Sequence, residues 1–68
     1  MKNKAELRIE RMYELEKGVY MECRDVLRRL YALEDKSIDE IAKHFIVSYN
    51  TINKLIKKYN ISKIYEMV

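Results

Sequence analysis

Sixty-eight residues with 14 Lys and Arg against 11 Asp and Glu, a formal charge of +3, allow one small domain with a modest core. A single cysteine, Cys23, and a single histidine, His44, exclude an internal disulfide and a zinc site, and no cofactor is expected. With no proline and one glycine, Gly18, turn residues are too few for a β fold, while 49% apolar residues are too many for disorder. The expected class is all-α, stabilised by helix packing or by association of copies.

In chain order, residues 1–33 read as an N-terminal helical region. Asn3 is a helix N-cap with Glu6 in the capping-box position. Apolar residues then recur at Ile9, Met12, Val19, Cys23, Val26, Leu30 and Leu33, the 3-4 spacing of a heptad seam interrupted at Glu16. Tyr13, Tyr20 and Leu27 widen that stripe. Lys2–Glu6, Arg11–Glu14 and Asp25–Arg29 are spaced as local ion pairs.

Gly18 leaves two organisations open. It can end one helix in the left-handed conformation, so that a monomer bends there. Alternatively it is an interior residue of one helix from Asn3 to Leu33, roughly 45 Å long at 1.5 Å per residue. So long a helix would overhang the chain and expose its stripe. It implies a homodimer through Ile9, Met12, Val19, Cys23, Val26 and Leu30, and the unslipped heptad phase favours it.

Glu34-Asp35-Lys36 is a polar connector. Ser37-Ile38-Asp39-Glu40 forms a second capping box, and its helix runs to His44 or Phe45 with Ile38, Ile41, Ala42 and Phe45 inward. Ile46-Val47 make a turn. Ser48 caps the next helix, which turns Ile52, Leu55 and Ile56 inward and ends near Tyr59. Asn60 is a left-handed terminator after which Ile61 folds back. The tail, residues 60–68, adds at most a short helical turn over Ser62 to Val68.

Charge divides unevenly along the chain. Residues 1–36 hold nine basic and eight acidic side chains, whereas Ile41 to Tyr65 hold five lysines (Lys43, Lys54, Lys57, Lys58, Lys63) and no acid. Such a stretch attracts polyanions through phosphate contacts. Apolar runs are too short for a membrane span, and the charged start lacks the apolar core of a secretion signal. A cytoplasmic location without membrane partners is expected.

The segment from Ser37 to Ile61, with Ala42 where two helices approach and Ile41, Phe45, Val47, Ile52 and Leu55 as a wedge, resembles the helix-turn-helix of small bacterial and phage transcription regulators and of resolvase and transposase DNA-binding domains. The resemblance covers residues 37–59 and extends to Cys23–Leu33 as a supporting helix. It implies a tri-helical DNA-binding domain whose second motif helix enters the major groove. Tyr49, Asn50, Asn53 and Lys54 would then read bases, Asn at adenine and Lys at guanine. Lys43, Ser48, Thr51, Lys57 and Lys58 would contact phosphates of double-stranded DNA. A dimer would place half-sites about one helical turn apart. One position departs from the family, which has glycine where this chain has Ile46. A β-branched residue held at positive φ costs on the order of 1–2 kcal/mol.

No Gly-rich phosphate loop, metal cluster or nucleophile with a placed base is visible, so an enzyme is not expected. Cys23 reads as a small core hydrophobe and His44 as an outer residue of its helix. Arg24, Arg28 and Arg29 could reach a DNA backbone. The alternative to a DNA-binding regulator is a helical module docking on a host protein such as a polymerase subunit.

Overall fold

The computed structural model describes residues 2–63, and among these all regular structure is helical, with no strand. The elements are α1 (Lys4–Lys17), α2 (Cys23–Leu27) continuing as a π-helical segment (Arg28–Leu33), α3 (Ile38–Phe45) and α4 (Tyr49–Lys58). One buried cluster joins them, built on Ile9 and Tyr13 from α1, Cys23, Val26 and Leu27 from α2, and Leu30 from the π segment. Ile41, Ala42 and Phe45 from α3 and Ile52, Leu55 and Ile56 from α4 complete it.

Asn3 starts α1 by accepting the Glu6 amide at 2.9 Å, while the Glu6 carboxylate takes the Asn3 amide at 3.2 Å. Gly18 ends it in the left-handed conformation, φ 76°. A Cβ at Gly18 would meet nothing within 4 Å, so the backbone angle and not space calls for glycine. The expected rod from Asn3 to Leu33 is therefore absent. The chain reverses after Gly18, α1 packs against α2, and the molecule measures 33 × 24 × 23 Å.

This break also overturns the expected dimer seam. Ile9, Cys23, Val26 and Leu30 are buried in the chain's own core, Met12 packs half-buried against it, and Val19 lies outside at 56% exposure. A left-handed glycine turns the two halves of the heptad stripe onto each other, so each covers its counterpart within one chain. The same periodicity serves either arrangement, and the backbone angle at residue 18 decides between them.

Helix α2 has no cap of its own, since the Glu22 side chain makes no capping bond. Its first amide, Cys23 N–H, donates to Glu10 Oε2 at 2.7 Å, and Tyr20 donates its hydroxyl to Glu10 Oε1 at 3.0 Å. Lys2 completes the set with an ion pair to Glu10. Burial alone would raise the Glu10 carboxyl; the bonds from Lys2, the Cys23 amide and Tyr20 outweigh it and hold the group below the ordinary carboxylate range. Beside it, burial and then the charges of Glu6 and Glu10 push the Cys23 thiol up to about 12.

From Arg28 the helix widens into π geometry. It closes with Glu34 N–H bonding Arg29 O and Lys36 N–H bonding Leu30 O, both at 2.9 Å, around a left-handed Asp35 (φ 56°). The wider turn takes Leu33 off the buried stripe and leaves it 60% exposed. Lys63 then locks the connector. It is buried, sits 4.2 Å above the Tyr31 ring, and donates to Asp35 Oδ1 at 3.0 Å and Lys36 O at 2.8 Å. The expectation for the tail falls, from residue 64 onward, outside the described residues.

Candidate nucleic-acid interface

The surface worth weighing is built by α3, its turn and α4. Ser37 accepts the Glu40 amide and Glu40 accepts the Ser37 amide, both at 3.0 Å, so α3 begins where its capping box puts it. The Ser37 amide, and after it the Ser37 hydroxyl, hold the Glu40 carboxyl below its ordinary range. At the other end the Val47 amide bonds Ala42 O at 3.0 Å and the Ile46 amide bonds Lys43 O at 3.3 Å, the paired closure of a Schellman motif. Ile46 carries that closure at φ 57° and ψ 49° while 69% exposed. The turn thus has the backbone that glycine would favour, and a β-branched residue occupies it with little burial in compensation.

Helix α4 starts at Ser48, whose Oγ accepts the Thr51 amide at 3.1 Å and lies 2.7 Å from the Thr51 hydroxyl. Ala42, nearly fully buried, sits where α3 and α4 pack, with Ile41, Phe45, Ile52 and Leu55 around it in the core and Val47 half-buried against it. Ile52, Leu55 and Ile56 fix which side of α4 faces inward. At about 100° per residue, Asn50, Lys54 and Lys57 then lie opposite, within roughly 60° of one another. All three are exposed. Asn60, at φ 54°, ends the helix by a second Schellman closure, with Ile61 N–H on Ile56 O at 3.0 Å.

The residues expected to read bases or grip phosphates do not all share this face. Asn53 is half-buried on one flank. Tyr49, 51% exposed, lines a shallow groove with Ile38, Asp39 and Lys63. Ser48 is exposed and Thr51 half-buried, their hydroxyls engaged with each other at the helix start. Lys43 stands free of the core but pairs with Asp39 at 3.1 Å on the surface. Lys58 departs most from expectation. It lies on the flank toward α1, 3.3 Å from Glu6 Oε1, and Glu6 is 1% exposed.

The lysine-rich stretch is therefore less free than its composition. Lys63 is buried, and Lys58, 53% exposed, is paired with a buried carboxylate rather than standing free. A surface pair such as Lys43–Asp39 contributes little and exchanges readily. A lysine neutralising a buried anion does not, because its departure leaves that anion uncompensated. Among the described residues Lys54 and Lys57 make no ion pair. Arg24 and Arg29 reach Asp25 at 3.8 Å and Glu34 at 3.5 Å.

Two further contacts join α1 to this unit. Arg8 donates from Nε to Phe45 O at 2.9 Å, covering the C-terminal carbonyls of α3, and His44 Nε2 lies 2.8 Å from Glu16 Oε1. The buried acids Glu6 and Glu10 and the role of Arg8 escaped sequence reasoning. A signal was available, because Glu6, Ile9, Glu10 and Tyr13 share the 3-4 spacing of one inward face.

No group of three or more potential metal ligands occurs among the described residues, and no helix among them is long and apolar enough to cross a membrane. No protein-family model matches this chain, and neither does any curated protein or solved structure.

Proposed function

We propose that this chain is a sequence-specific, double-stranded DNA-binding protein that inserts the exposed face of α4 into the major groove, in the manner of a small bacterial or phage transcription regulator. The observation that carries this reading is the outward face of a capped helix on which Asn50, Lys54 and Lys57 stand together and unburied. Asn and Lys are the side chains suited to adenine and guanine edges, and an acid-free face admits the phosphates on either side. Asn50 and Lys54 read bases; Lys57, with Lys43 after release from Asp39, positions the backbone. Asn53 and Tyr49 contribute from the flank.

Two lysines on phosphates, Lys57 and Lys43, give a slope of log K against log salt of about −1.8, roughly 0.9 per neutralised phosphate. Between 50 and 200 mM salt, affinity for generic duplex should fall roughly 12-fold. Selection of a preferred site from random duplex, followed by binding of Asn50→Ala and Lys57→Ala, separates the roles. Asn50→Ala should bring preferred and random DNA closer together, whereas Lys57→Ala should weaken both alike and flatten the slope by about 0.9. No binding at 50 mM salt, or the same pattern for both variants, would end this reading.

A further inference from the structure

Helix α4 is held to α1 by one buried carboxylate. Glu6 accepts the Asn3 amide and receives the Tyr59 hydroxyl on Oε2, while Lys58 Nζ lies against Oε1. Lys58 and Tyr59 are the last residue of α4 and its C-cap. All three donors converge on a side chain that solvent hardly reaches. Tyr59 is half-buried with its ring 5.3 Å from the Lys58 ammonium, so the two donors also brace each other.

We propose that Glu6 is a positioning residue for the DNA-reading helix, fixing the C-terminal end of α4 through Lys58 and Tyr59 and withholding the Lys58 charge from phosphate. The inference rests on the DNA-binding reading above and divides the lysines of α4 by function. Lys54 and Lys57 face the duplex, and Lys58, its own side chain 53% exposed, is the counter-ion of a buried carboxylate. A helix that must present three side chains in register cannot be left to pivot about its N-terminal turn. Glu6 stops that pivot 52 residues away in sequence from the lysine it holds.

The salt slope of duplex binding tests this, because a merely structural residue leaves that slope alone. Lys57→Gln should flatten it by about 0.9, and Lys58→Gln, with the same change in net charge, should leave it within about 0.2 of the parent. Glu6→Gln preserves the cap and a bond to Tyr59 but releases Lys58, so the slope should steepen by up to about 0.9. Adding Lys58→Gln to Glu6→Gln should return it to the parent value. Equal flattening by Lys57→Gln and Lys58→Gln overturns the proposal.

Absence of DNA binding by the parent protein would end the function reading, yet the anchor stays testable by thermal unfolding of Glu6→Gln, Lys58→Gln and the double variant. Midpoint shifts that depart from additivity by about 4 °C or more support the anchor. Additive shifts overturn it.

Discussion

Replacing Ile46 by alanine and, separately, by glycine turns the strained turn into a measurable quantity. Both variants lose the same side-chain contacts, and little is lost because Ile46 is 69% exposed. They differ only in how a Cβ tolerates φ 57°, ψ 49°. A left-handed L-residue costs about 1–2 kcal/mol, and glycine gives back roughly 0.5–1 kcal/mol through the greater freedom of its unfolded chain. The difference leaves glycine ahead by about 0.5–1 kcal/mol, or roughly 3–6 °C in Tm for a chain of this size. In a right-handed helix the order is the reverse, with alanine ahead by about 1 kcal/mol. Thermal unfolding by circular dichroism reads the sign directly. Alanine more stable than glycine would show that residue 46 is not left-handed and that the Schellman closure of α3 is wrong.

Two other expectations concern ionisable groups in the core. The Cys23 thiol, held near 12 by burial and by the charges of Glu6 and Glu10, should react with iodoacetamide at pH 8.5 at least ~1,000-fold more slowly in the folded protein than in urea. Its raised value contributes stability that is complete below about pH 8.5 and declines as pH climbs toward 12, by at most about 1.4 kcal/mol per pH unit; equal labelling rates would refute its burial. The Glu10 carboxyl is depressed, so its contribution is present above about pH 4.3 and is lost as pH falls further, with Glu40 adding in the same direction. Tm measured from pH 7 to 3 should drop steeply below that point, and Glu10→Gln should lessen the drop. An unchanged acid profile would remove the Glu10 network from the account.

The second half of the chain was legible because its signals are local. Ser37 with Glu40, Ser48 and Asn60 announce helix ends through bonds spanning a few residues, and Ile41, Ala42, Phe45, Ile52, Leu55 and Ile56 follow one helical period. The first half was not, because a heptad stripe does not say whether its partner is another chain or its own other half. Gly18 carries that decision in its backbone angle, and a glycine can adopt either the helical or the left-handed value. Glu6 and Glu10 were illegible for another reason. A carboxylate is stable inside only when several donors meet it, and theirs come from Lys2, Tyr20, Cys23, Lys58 and Tyr59, scattered over the chain. The distribution of lysines likewise overstated the free charge, since composition counts Lys58 and Lys63 without knowing what holds them.

That α2 borrows its opening bond from Glu10 has a consequence for how the chain assembles. Five α-helical residues followed by a π turn are too short to stand in water unaided, and the group that stabilises their first amide arrives only when α1 is formed and alongside. The second helix is thus a dependent of the first, and the core residues it carries, Cys23, Val26 and Leu27, come into place only with it. Order in α2 should therefore follow order in α1, with no stage at which Cys23–Leu27 is native while the opening helix is loose.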